Sequence, residues 1–217
     1  MNARDEVLRR IRAATSDVTE ADPALDVPIE WDYGRSLTTH DVIADFVEKV
    51  EDYKAEVRRC APDDTPWAIV EALRALEARS VVVPDGLPQA WVATLEREGF
   101  DLHRDAPPLT HAELNSIDAV VTTSAVGMAD SGTIALDHGE GQGRRALTLL
   151  PDRHICVIGE DQVVSDVPEG IARLAPALRA RRPVTWLSGG SATSDIELSR
   201  VEGVHGPRHL SVVLVSG

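Results

Sequence analysis

The sequence predicts an α/β fold: a mixed, mainly parallel sheet flanked by helices, behind an N-terminal helical extension. Three observations carry that prediction. From Ser80 onward, short apolar runs such as "SVVV", "DAVVTT", "HICVIG" and "HLSVVLV" are bounded by Gly, Pro and Asp, the pattern of strands covered on both faces. Between several of them lie segments with apolar residues at helical spacing, the alternation that builds α/β sheets. Around "GEGQG" two apolar runs come too close together for a helical crossover, so one antiparallel pair is expected.

The elements follow in order. "NARDEVLRRIRAA" places Val7, Leu8 and Ile11 on one face of a short amphipathic helix. The stretch after it, "TSDVTEADPALDVPIEWDYG", is rich in proline and acid, lacks periodicity and reads as a linker. The expected organisation is therefore a helix and linker over 1–35 and one α/β domain over 36–217. "TTHDVIADFVEKVEDYKAEVRRC" reads as a helix capped by Thr39, with Val42, Ile43, Phe46, Val47 and Val50 as its apolar stripe. "TPWAIVEALRALEARS" is a second helix, with Thr65 at the cap and Pro66 at the first position, where a missing N–H costs nothing. A strand "SVVVPDG", a helix "LPQAWVATLEREG" ending at Gly99 and a strand "SIDAVVTTSA" come next. "GTIALDHG" and "RALTLLP" are expected to flank a hairpin turn at "GEGQG", and "HICVIG" to form a strand. "EDQVVSDVPEGIARLAPALRAR" then reads as a helix, "PVTWLSGG" as a strand, "SATSDIELSRVEG" as a helix and "RHLSVVLVSG" as the last strand.

Composition excludes several classes of function. At 217 residues, 43% hydrophobic and 27% charged, the chain has the make-up of an ordinary globular domain. No apolar run approaches the ~20 residues that cross a bilayer. The charged start "MNARDEVLRRIR" has no apolar signal-peptide core, so a cytoplasmic location without membrane insertion is expected. Acidic residues number 36 against 22 basic, a net charge of −14, which repels nucleic acid. The two cysteines, Cys60 and Cys156, cannot supply the four thiolates of an iron–sulfur cluster, and the seven histidines show no metal-ligand spacing. No metal or other cofactor of its own is expected.

Three segments concentrate glycine, hydroxyl groups and charge. In "MADSGTIALDHGEGQGRRALTLLPDRH", the glycines do not match G-x-G-x-x-G, because the third comes one residue early and no helix follows. A turn at the rim of a pocket is expected there, not a dinucleotide cradle. Asp130, Ser131 and Thr133 precede one strand, while Arg144 and Arg145, at the start of the next, point to opposite faces. In "LSGGSATSDIELSRVEG", Gly190, Ser191 and Thr193 lead into a helix whose free N–H groups suit an anion. Asp195 and Glu202, seven apart, would share one face of it. The loop "GVHGPRHL" holds His205 and Arg208. Asp130, Asp195, Glu202 and His205 are the candidate catalytic groups. Ser131, Thr133, Arg144, Arg145, Gly190, Ser191, Thr193 and Arg208 are the candidate ligand-binding groups, and guanidinium groups beside N–H groups favour a small carboxylate.

Together, "AVGMADSGTIALDHGEGQGRRALTLLPDRHICVI", "GGSATSDIELSRVEGVHGPR" and "LSVVLV" strongly resemble the lactate-utilisation protein C family of LUD-domain proteins. The resemblance is dense from Ser116 onward and looser before it. It implies a fold akin to the sugar-phosphate isomerase and CoA-transferase superfamily, and a part in oxidising L-lactate to pyruvate beside partner proteins that carry iron–sulfur clusters. It also implies a glutamate where this chain has Asp130, in the pattern Glu-Thr-Gly-Thr. The shorter arm withdraws the carboxylate by one methylene, which counts against a transferase-like covalent mechanism. Three classes of function follow: a non-redox subunit or accessory protein of a lactate-oxidising assembly, a stand-alone enzyme acting on a small acyl or phosphorylated acid, and a ligand-sensing regulatory protein.

Overall fold

The computed structural model describes residues 2–19, 22, 40–193, 201–202 and 206–217, with 192–193 and 201–202 described by their backbone. The chain divides into two compact units, Met1–Arg35 and Ser36–Gly217. In the first, α1 (Ala3–Ala14) begins at Asn2, whose side chain accepts from the Asp5 N–H, and buries none of its residues. Glu6 ties down Arg9 and Arg10 on its polar side, while Val7, Leu8 and Ile11 stay exposed.

The second unit is built on a six-stranded, wholly parallel sheet. Its strands are β1 (Glu56–Cys60), β2 (Ser80–Val83), β3 (Asp101–Arg104), β4 (Ala119–Thr122), β7 (Arg153–Gly159) and β12 (His209–Val215), in the order β1-β12-β7-β4-β2-β3. A second sheet, order β8-β5-β6-β9, is mixed: β5 (Val126–Met128), β6 (Thr133–Leu136) and β9 (Thr185–Leu187) pair antiparallel, and β8 (Val163–Val164) joins β5 in parallel. β10 (Ala192–Thr193) and β11 (Val201–Glu202) form a short antiparallel ladder. The fold is thus the mixed, mainly parallel α/β arrangement that the alternating apolar runs predict. No helix among the described residues is long and apolar enough to cross a membrane.

Helices cover both faces because every strand of a parallel sheet must bury two sides. α3 (Thr65–Ala75) and α4 (Gln89–Arg97) lay Ile69, Leu73, Val92 and Leu95 against one face of the large sheet. On the other face, α2 (Val42–Asp52) inserts Phe46 and Val50 among Cys156, Ile158, Val212 and Leu214, beside Ile134 and Val163 of the second sheet. Farther along that face, α5 (His111–Ser116) packs Leu114 with Val82, Val120 and Leu147. α6 (Val167–Arg179) closes the outer side of the second sheet through Leu174.

Several elements differ from the sequence reading. The helix at 42 is capped by Asp41, whose carboxylate accepts from the Ile43 and Ala44 N–H groups; Thr39 lies outside the described residues. That helix stops at Asp52, and "EVRRC" is instead the edge strand β1, whose half-exposed Glu and Arg positions hide its period. Thr65 does not cap: it follows a 3-10 turn, Pro62–Asp64, and donates its hydroxyl to the Pro62 carbonyl. "RALT" is a 3-10 turn, Arg145–Thr148, and not a strand. There is therefore no hairpin at "GEGQG", and β6 pairs with β5 and β9. Leu147 and Thr148 are buried through a turn, and a short apolar run cannot distinguish that from a strand. The two ends of "ATSDIELSRVE" pair as β10 and β11 where a continuous helix was expected, so no helix begins at Gly190. Within "EDQVVSDV", a 3-10 turn, Glu160–Gln162, and then β8 precede α6. β3, β5 and α5 are additions that the sequence pattern did not reveal.

Candidate functional site

Strand order reverses beside β2, since β3 lies on one side of it and β4 returns on the other. Open α/β sheets take ligands outside the carboxyl ends of strands at such a point. Here the glycine-rich stretch fills it. The Gly141 N–H donates to the Asp85 carbonyl just past β2 (2.9 Å), and the Thr123 N–H just past β4 donates to the Gly141 carbonyl (3.0 Å). The Thr123 hydroxyl adds a bond to the Glu140 carbonyl (2.9 Å).

The loop is latched from within. Buried Gln142 accepts the His138 N–H (3.0 Å) through Oε1 and donates Nε2–H to Asp137 (3.0 Å). The other Asp137 oxygen accepts from Arg182 (2.8 Å). His138 sits at φ +54° and donates Nδ1–H to the Gly143 carbonyl (2.8 Å); its Nε2 therefore accepts from the Thr185 hydroxyl (2.8 Å). Gly143 takes φ +67°, and a Cβ there would lie 2.9 Å from Pro84 Cβ, closer than atoms of a well-packed floor approach.

The two arginines after the loop divide their work. Arg144 grips Asp105 with two hydrogen bonds (2.7 and 3.0 Å) and donates a third to the Leu109 carbonyl (2.6 Å). Burial pushes the Asp105 carboxyl up, but the Arg144 hydrogen bond and the Leu109 N–H outweigh it and hold the group below the usual carboxylate range. Arg144 is thus a clamp between the glycine-rich loop and the end of β3. Arg145 is exposed, and its guanidinium makes no hydrogen bond or ion pair among the described residues. It lines two clefts at once. One, of about 480 Å³, has walls of Pro84, Leu147 and Pro183 with Asp85 and His138 beside them. The other, of about 440 Å³, runs along β9 past Trp186 to Gly190, Ser191 and Pro207.

A family model of the LUD domain matches residues 43–215. The chain belongs to the LUD-domain family. The Lactate utilization protein C of Deinococcus radiodurans is 48% identical over 214 residues, spanning 98% of this chain and 95% of that protein. The protein of the same name from an Exiguobacterium species is 32% identical over 70% of this chain and 67% of its own length. A crystal structure of a DUF162 family protein from Deinococcus radiodurans matches with a TM-score of 0.70 at 43% identity, covering 82% of this chain and 99% of that one.

In this LUD domain the residues singled out from sequence do not gather in one hollow. Arg145, Gly190 and Ser191 line the second cleft together, with the Ser191 N–H on the Pro207 carbonyl (2.7 Å). Thr133 reaches its edge by a hydrogen bond to Ser188 (2.8 Å). Asp130 is exposed on the turn after β5 and Ser131 buries its hydroxyl without a partner among the described residues; neither lines either cleft. That turn is tight: Gly132 at φ +59° would place a Cβ 2.6 Å from the Lys49 backbone. Arg208 sits before β12, at the amino end of the sheet, bound to Asp152 (3.2 Å) in a separate hollow with Asn115 and Arg153. Glu202 stands opposite Ala192 and Thr193 opposite Val201 in the β10–β11 ladder, not along a helical face. Asp195 and His205 lie outside the described residues.

Asp85, Asp105, His138 and Thr185 escaped the sequence reading. "PDG" after an apolar strand is the available signal for Asp85, because strand carboxyl ends are where ligands bind. Asp105 and Thr185 are distant in sequence from the loop they secure, so no local pattern marks them. Replacing Arg144 by Ala removes three hydrogen bonds and leaves Asp105 facing the loop alone. A loss of about 1–3 kcal/mol is expected in denaturant unfolding, together with faster amide exchange at 138–145. Unchanged exchange there would show that the clamp does not hold the loop.

Proposed function

We propose that this LUD-domain protein is a non-redox component of a cytoplasmic lactate-utilisation system, supporting the oxidation of L-lactate to pyruvate by iron–sulfur partner proteins. The observation that carries this reading is the near full-length 48% identity to a Lactate utilization protein C. On this reading residues 36–217 act as one LUD unit, with residues 1–35 as an N-terminal helix and linker.

Chemistry supports the division of labour. Turning lactate into pyruvate releases two electrons and two protons, and ordinary side chains store no electron pair. Cys156 is fully buried, and desolvation pushes its thiol up to about 12, which keeps it protonated and out of ligand chemistry. The chain's own task is then to bind and present a small carboxylate. Of the three arginines considered for that role, Arg144 is committed to Asp105 and Arg208 to Asp152. Arg145, beside Gly190 and Ser191, is the guanidinium left to receive it.

Deleting the gene in its host is expected to stop growth on L-lactate, and the tagged protein is expected to recover cluster-bearing partners. An Arg145→Ala protein is expected to weaken calorimetric binding of lactate or pyruvate by roughly tenfold with no loss of fold. Normal growth of the deletion strain with no cluster protein recovered defeats this reading.

A further inference from the structure

We propose that the proline-walled cleft beyond β2 and β3 binds a zwitterion of amino-acid size with an apolar body, its carboxylate on Arg145 and its ammonium on Asp85. This shares the Arg145 guanidinium with the lactate reading but concerns the other of its two clefts, and it rests on the charges that this cleft leaves unmatched. Four charged side chains line it. Asp105 and Arg144 already neutralise each other through two hydrogen bonds. His138 has both ring nitrogens engaged. Asp85 and Arg145 remain: both are exposed, and neither carboxylate nor guanidinium has an ion-pair partner among the described residues, including each other. Exposed Pro183 supplies apolar surface beside them, over a floor backed by buried Pro84 and Leu147.

One free anion, one free cation and an apolar wall form a definite complement. A simple anion would satisfy Arg145 but meet the Asp85 carboxylate uncompensated, and a simple cation would do the reverse. A zwitterion pairs with both through charge-assisted hydrogen bonds. Its zero net charge also spares it the long-range repulsion of a protein carrying −14. The cleft, about 480 Å³, falls within the usual span of small-molecule sites, and the carboxyl ends of parallel strands are where such sheets take ligands. The floor is stiff, since Gly143 packs on Pro84 and Leu147 and Arg144 clamps the loop to the end of β3. Little ordering cost therefore falls on binding.

The test is calorimetric titration of the full chain with L-phenylalanine and L-leucine, beside 3-phenylpropionate, which lacks the ammonium, and phenethylamine, which lacks the carboxylate. Saturable binding of an amino acid is expected at millimolar concentration, with each single-charge analogue weaker by roughly tenfold or more. Asp85→Asn should weaken the amino acid while strengthening 3-phenylpropionate, which no longer meets an opposing carboxylate, and Arg145→Ala should weaken the amino acid while strengthening phenethylamine. Both side chains are exposed, so circular dichroism is expected to show both variants folded. The proposal is overturned if neither amino acid binds, if the analogues bind as tightly, or if both variants bind like the parent. Growth on lactate reports on the preceding reading alone, which keeps the two failures distinct.

Discussion

Unfolding free energy is expected to fall by about 3 kcal/mol as pH drops from 6.5 to about 4, through the protonation of one residue, His154. His154 lies in the middle of β7, 1% exposed. Its Nε2 bonds the Thr122 hydroxyl (2.7 Å) and its Nδ1 has no partner among the described residues. A buried acceptor tolerates lacking a partner better than a buried N–H does, so the proton belongs on Nε2. Desolvation lowers the folded pKa from 6.5 to about 4. The sign follows directly. Above pH 6.5 both states hold a neutral imidazole and stability is complete. As pH falls, the unfolded chain takes a proton first, so stability declines until the folded chain protonates as well. Asp105 and Asp118, whose hydrogen bonds outweigh burial and hold them below the usual 3.8, add their losses only beneath that value, which separates the two windows. Denaturant unfolding across this range should show the slope in the parent and a flatter profile in His154→Gln. An equal slope in that variant would show that His154 is not the group responsible.

Phe46→Ala is expected to cost about 3–5 kcal/mol, on the order of 10 °C in melting temperature. Phe46 is fully buried where α2, the large sheet and the second sheet meet. Its ring lies against Gly127 of β5, where an added Cβ would fall 3.0 Å from Phe46 Cε2 and 2.8 Å from Ile158 Cδ1. Removing the ring leaves a cavity lined by two sheets that cannot both close on it, because each is tied by its own ladder. Phe46→Leu should lose less than half as much. If calorimetry finds the Ala variant within about 1 kcal/mol of the parent, α2 does not anchor the two sheets together.

The apolar stripe Val42, Ile43, Phe46, Val47 and Val50 reveals α2 in the sequence because a helix repeats its face every 3.6 residues, a short-range regularity. The same holds for β2, β4, β7 and β12, whose apolar runs need only immediate neighbours to be recognised. β1 was hidden because an edge strand carries Glu and Arg on its open side. "RALT" misled because a buried turn and a buried strand present the same short apolar run. At the site, the local chemistry of Arg144, Arg145, Gly190 and Ser191 marked them out, while the role of each arginine was not legible. Only Asp105, brought in from the end of β3, makes Arg144 a clamp and leaves Arg145 open.

The amino-acid order by itself determined the fold class, the excess of acidic residues, the presence of two cysteines where a four-thiolate cluster needs four, and the family. All of these depend on composition or on patterns read over a few residues at a time. Tertiary structure alone decided that the glycine-rich stretch seals the carboxyl ends of β2 and β4, that Arg208 sits at the opposite end of the sheet, and that Asp85 and Arg145 flank one cleft with no ion pair to any described residue. The physical reason is distance along the chain: a hydrogen bond between Gly141 and Asp85, or an ion pair between Arg144 and Asp105, exists only once parallel strands have set the ends of separate crossovers side by side.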